Sequence, residues 1–243
     1  VFLVSLLIIN YYHSASEFIS FKINNFDTAL LKKLLLFSLM ALTSAQLKPF
    51  IEFFVRDYII ENGNEVDAGI WQGMISLSKI YIQIITTALG VYYLPRLASL
   101  KYSNSIKKEI FSGYKKILPG FLIIAIGIYI TREWIVVLLY SKDFSSMSSL
   151  FFPQLVGDFF KIASFLVAYL LLAKAMIKLF MITQLVFAAN RIILSILLFN
   201  TAGIYGTIWA NAINYFIYTI VILFLFRKLL FYNQHENKKF NTV

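Results

Sequence analysis

Residues 150–174, LFFPQLVGDFFKIASFLVAYLLLAK, form an apolar run long enough to cross a bilayer, and they carry Asp158 and Lys161 near their middle. An ionised side chain at the centre of a bilayer costs about 2.5–3.5 kcal/mol on insertion scales, so such a residue faces a bundle interior or a watery cavity. Gln154, Asp158 and Lys161 recur at i, i+4 and i+7, which puts them on one helical face with phenylalanines and aliphatics on the other. Two readings are open: an Asp158–Lys161 pair that neutralises itself and fixes helix packing, or a wall of a polar cavity. Either way one face of this helix turns away from lipid.

Composition agrees with that setting. The 243 residues are 60% hydrophobic and 14% charged, with 24 Phe and 15 Tyr, more apolar surface than one water-soluble core can hide. The formal charge of +10 does not indicate nucleic acid, because Lys and Arg are concentrated in short connections between apolar runs. With no cysteine, and with His13 and His235 in a loop and a tail, the chain offers no metal set, no disulfide and no cysteine nucleophile.

Taken in order, residues 1–12 look like the end of a transmembrane helix of a longer protein, and 13–33 like a cytoplasmic linker. Six spans then fill 34–232, and 233–243 form a cytoplasmic tail. The first span, 34–55, holds Lys48-Pro49, where a kink or break is expected. Lys48, Glu52 and Arg56 share a face there, and Glu52 can pair with either base. The second, 68–94, carries the stripe Gln72, Ser76, Lys79, Gln83, Thr86 or Thr87, and ends in YYLPR. A basic connection at 96–116 leads to an apolar run at 117–130, which should stop near Thr131 and leave 134–140 at the interface. After the Asp158 span come 179–200, with Gln184, Arg191 and Ser195 on one face, and 204–226, with Thr207, Asn211, Asn214 and Tyr218 on a stripe.

The loops set an orientation. Alternate connections and the tail hold fifteen of the 22 Lys and Arg residues and the other side only Arg56, Arg132 and Lys142, so the first set should be cytoplasmic. The remaining four, Lys48, Lys79, Lys161 and Arg191, lie inside four different spans, against two intramembrane acids, Glu52 and Asp158. That positive excess calls for an anion or water. Phosphate or pyrophosphate suits Lys and Arg, while Gln72, Gln83 and Gln154 on the same faces suit sugar hydroxyls. Asp158 and Glu52 are the expected charge-pair or coupling acids; protonating Asp158 would change the charge it sets beside Lys161.

The runs AGIWQGMISLSKIYIQIITTALGVYYLPRL, REWIVVLLYSKDF and LFFPQLVGDFFKIASFLVAYLLLAKA resemble the Wzx-type flippases of O-antigen and enterobacterial common antigen, within the multidrug and oligosaccharidyl-lipid exporter superfamily. The resemblance covers about 34–227 and implies an all-α polytopic membrane protein. The chain would be the six-helix C-terminal lobe of a twelve-helix fold plus the end of the preceding helix. It further implies movement of undecaprenyl-pyrophosphate-linked oligosaccharide across the bacterial inner membrane by alternating access. Trp71, Gln72, Gly157, Asp158 and Lys161 are the positions its motifs carry over. The implied partners are that substrate, membrane lipid, an absent N-terminal lobe, a polysaccharide polymerase and a chain-length regulator, with no cofactor.

Two other functions are weighed. A cation-coupled multidrug exporter shares the fold but wants an acidic cavity. A polysaccharide polymerase, a membrane enzyme, would carry catalytic acids or arginines in a long outside loop, and the outside connections here are short. The chain is therefore expected not to be an enzyme.

Overall fold

The computed structural model describes residues 28–140 and 142–231; the expected helix end at 1–12, most of the linker and the tail at 233–243 lie outside the described residues. All regular structure among the described residues is helical. The chain divides into two units, 1–39 and 40–243. Of the first, the described part is the opening of helix α1 (Thr28–Asn62), which begins within the stretch expected as linker. The second unit holds the remainder of α1 and every later helix.

Helix α1 passes Pro49 without a break, so the proline removes one amide donor but does not end the helix. Its last turns carry Val55 and Ile59, both buried. A turn at Gly63 and Asn64 reverses the chain into α2 (Glu65–Ala88), where the Asn64 side chain accepts the amide of Asp67 at 2.8 Å and caps the helix. Glu65 and Asp67 add negative charge where the helix dipole is positive. At Leu89–Tyr93 the helix widens into a π-turn and then enters α3 (Leu94–Ser99). Pro95 supplies no amide to the turn before it, and the amide of Leu94 bonds back to Leu89, five residues earlier.

Helix α4 (Ser103–Ile130) stops at Thr131, and α5 (Arg132–Leu139) starts anew, as the clustering of Trp, Arg and Glu there indicates. Trp134 is 81% exposed and Leu138 84%, while the Arg132 guanidinium lies 4.4 Å from the Tyr129 ring centre. A short 3-10 stretch (Lys142–Leu150) leads to α6 (Phe151–Ala173), and α7 (Ile177–Leu225) and α8 (Arg227–Leu230) come after it. Helix α7 is two arms: Ala202 leaves helical geometry and Gly203 takes φ 58°, a conformation open to glycine. The arms correspond to the two spans expected at 179–200 and 204–226. Four helical segments are long and apolar enough to cross a membrane, Glu65–Ser99, Ser103–Ile130, Phe144–Ala173 and Ile177–Leu225. The molecule is an all-α polytopic membrane protein.

Helix α6 is the axis of the packing. Ile162, Leu166, Leu170 and Leu171 have no exposed surface, and α6 lies against both arms of α7 and against α2 to α4. Lipid offers little hydrophobic drive for helix association, so contact depends on close fit and interhelical hydrogen bonds. Both are present. A Cβ on Gly157 would stand 3.1 Å from Cα of Ala212, so the glycine is what lets α6 touch the second arm of α7. Tyrosine and threonine hydroxyls donate to carbonyls of neighbouring helices: Tyr93 to Leu166 (2.8 Å), Tyr114 to Ala163 (2.7 Å) and Thr219 to Phe160 (3.0 Å). Lys174, in the turn after α6, donates to the carbonyls of Ala98 (3.3 Å) and Leu100 (2.5 Å) and closes the end of α3. Burial lowers its pKa.

Candidate functional site

Toward Ala41, α1 lines a cavity of about 480 Å³ with α2, α6 and α7. Lys48, Lys79, Lys161 and Arg191 all line it, together with Glu52, Trp71 and Gln154. The four bases, from four helices, therefore meet in one chamber. Their partners differ. Lys79 binds Glu52 at 2.5 Å, so the acid pairs across to α2 and not along α1 with Lys48 or Arg56. Arg191 sends Nη1 to the Ser195 hydroxyl (2.7 Å) and to the Thr207 carbonyl on the other arm of α7 (3.1 Å). The Lys161 ammonium lies 5.5 Å from the ring centre of Tyr215. Among the described residues no carboxylate forms an ion pair with Lys48, Lys161 or Arg191.

Asp158 stands behind this wall and has no exposed surface. One of its oxygens, Oδ2, accepts from Ser78 (2.6 Å), Tyr81 (2.5 Å) and Gln154 (3.1 Å), while Oδ1 has no hydrogen-bond partner among the described residues. Of the two readings open for this face, the Asp158–Lys161 pair is not formed; in its place a clamp of neutral donors ties α6 to α2. The sequence gives weak notice of it, because Tyr81 reads as one more aromatic of an apolar helix.

Gln72 and Gln83 are not in the cavity wall. The inward ladder of α2 is Trp71, Ile75, Ser78 and Ile82, and the polar stripe Gln72, Ser76, Lys79 and Gln83 is the same ladder moved on by one residue, about 100° round the helix. Lys79 still reaches the chamber, because its long stem bends back to Glu52. Gln83 is exposed and bonds along its own helix to Thr87 at 3.4 Å.

Other wall residues lie on polar stripes without standing out in the sequence as site candidates. Asn211, Asn214 and Tyr218 belong to the stripe of the last span, and Gln184 to the Arg191 face. Tyr169 and Tyr215 escape sequence reasoning, since they carry no signal beyond aromatic content. Asn214 accepts from Asn190 at 2.7 Å, and the Tyr215 ring meets Phe165 of α6 edge-on at 6.4 Å and lies 5.5 Å from the Lys161 ammonium.

A polytopic all-α membrane protein with a basic chamber among its helices is the class that fold and site define. In sequence the chain is similar to the proteins named lipid III flippase from Escherichia coli (strain K12) and Shigella flexneri, 29% identical to each over 194 residues. Those residues are 80% of this chain and 47% of each relative, so the chain spans about half the length of the curated relatives it matches. The similarity bears out the likeness to Wzx-type flippases. No protein-family model and no solved structure matches the chain.

Proposed function

We propose that this chain is the anion-binding lobe of a flippase that carries an undecaprenyl-pyrophosphate-linked oligosaccharide across the bacterial inner membrane by alternating access. The observation that carries the reading is the chamber at Lys48, Lys161 and Arg191, three cations from three helices with no carboxylate among the described residues paired to them. Cations gathered in an apolar zone are held most favourably by an anion, and a diphosphate presents oxygens that a guanidinium and two ammonium groups can share. The fourth base, Lys79, is held by Glu52 and becomes available when that pair opens. In this reading the prenyl tail stays in lipid, a second lobe closes the chamber, and rocking of the lobes exposes it to each side in turn. The basic connection at 96–116 lies in the cytoplasm and the turn at 63–64 outside.

The test uses the purified chain in nanodiscs. Farnesyl diphosphate should bind, inorganic pyrophosphate should compete with it, and the lipophilic cation tetraphenylphosphonium should not. Binding of tetraphenylphosphonium with no binding of diphosphate would overturn the reading in favour of a drug exporter. Export of lipid-linked oligosaccharide in cells lacking their own flippase then separates transport from binding.

A further inference from the structure

The chamber is not uniform along its length. Counted from the turn between α6 and α7, Lys161 and Arg191 lie at similar depth on antiparallel helices. Eleven residues nearer that turn, about 16 Å by helical rise, the wall reaches Leu172 and Phe180. Between these levels the part of the wall formed by α6 and α7 holds no charged residue. It is made of the rings of Tyr169, Phe180, Phe187 and Tyr218, with Thr183 and Gln184 beside them. Phe187 and Tyr218 meet at 4.6 Å between ring centres and 61° between planes, a rigid edge-to-face pair. Among the described residues no group bonds the Tyr218 hydroxyl at ordinary hydrogen-bond distance and angle; its neighbour Thr183 donates to the Phe180 carbonyl at 2.9 Å. A buried phenol without a bond is a cost that a ligand can remove.

We infer that this aromatic end is a saccharide subsite, taking a neutral sugar of the substrate glycan while the diphosphate sits at the level of Lys161 and Arg191. The inference rests on the reading of the chamber as a diphosphate site. Aromatic faces stack on the C–H face of a pyranose, and the Tyr218 hydroxyl, the Gln184 amide and the Thr183 oxygen supply what its hydroxyls need. A prenyl chain would fit the rings but would leave the Tyr218 hydroxyl as it stands, which is why the sugar is favoured.

The experiment measures binding to the full chain in nanodiscs of two ligands, farnesyl diphosphate and farnesyl diphosphate bearing an N-acetylglucosamine disaccharide. Tyr218→Phe removes only the hydroxyl, and Phe187→Leu removes a ring at nearly constant volume. Each should weaken the glycosylated ligand by about three- to tenfold and leave the sugar-free one unchanged. Arg191→Gln should weaken both. Equal loss for the two ligands would assign this end to the prenyl chain and overturn the subsite, as would no loss for either. If the unsubstituted chain binds the two ligands equally, the subsite fails alone; if it binds neither, the diphosphate reading fails and the subsite with it.

Discussion

The carboxylate of Asp158 is held by Tyr81 across the α2–α6 contact and not by Lys161, its neighbour one turn along the same helix. The two charges in the middle of one span thus do different work. Asp158 joins helices behind the wall, and Lys161 remains turned to the chamber.

Removing the acid should therefore loosen packing before it alters binding. Asp158→Ala leaves Ser78, Tyr81 and Gln154 without their shared acceptor and should destabilise the chain by about 2–5 kcal/mol. Asp158→Asn keeps an oxygen in place and should cost less. The check is the apparent thermal midpoint in detergent, where equal midpoints for Asp158→Ala and the unsubstituted chain would contradict the clamp.

Arg191 holds the two arms of α7 together through one guanidinium nitrogen while the residue lines the chamber. A lysine has the charge but not the planar fork. Arg191→Lys should lower affinity for farnesyl diphosphate by about tenfold and Arg191→Gln by more. Full affinity in Arg191→Lys would mean that charge alone suffices.

Lys79 is 41% exposed at its side chain and Glu52 18%, so their pair is partly solvated and worth about 0.2–1 kcal/mol. Glu52→Gln frees Lys79 for an anion and should raise diphosphate affinity by about two- to fivefold with little change in stability. A fall in affinity would show that Glu52 itself contacts the ligand.

The absence of cysteine makes the orientation directly testable. In intact cells an impermeant maleimide should label Asn62→Cys and should label Lys108→Cys only after the membrane is opened. The reverse pattern would invert the topology.

Lys174 gives a pH effect. Burial lowers its pKa in the folded protein, so the unfolded chain binds more protons in the alkaline range and stability rises with pH there. The stability difference between the unsubstituted chain and Lys174→Gln should shift in favour of the former as pH climbs toward about 10.4, the ordinary lysine value. A shift the other way would mean that the carbonyls of Ala98 and Leu100 outweigh desolvation.

Legibility in the sequence divides along physical lines. The helices of the later spans were legible from their apolar runs, and so was the meeting of Lys48, Lys161 and Arg191 on one wall, because a charge inside an apolar run has few places to go. The angular position of α2 was not. The stripe through Gln72 and Gln83 is regular, but Trp71 and Ser78, one residue back, face inward because the α6 partner of that helix is an acid seeking hydroxyls. The aromatic end was illegible for another reason: Tyr218 stands on the polar stripe of the last span, but among 24 Phe and 15 Tyr nothing local marks Tyr169 or Phe187 as different from a ring that faces lipid.

The bend at Ala202 and Gly203 also bears on how this part of the chain enters the bilayer. Two arms joined by two residues, with the chain folded back tightly at Gly206 against Leu198, form a helical hairpin whose halves pack on each other. The arm that carries Arg191 would meet hydrocarbon with an uncompensated guanidinium, a cost of about 2.5–3.5 kcal/mol, until the next arm brings the Thr207 carbonyl to it. Synthesis of the second arm should therefore help complete the insertion of the first, and a nascent chain ending at residue 203 should insert less efficiently than one that includes Thr207.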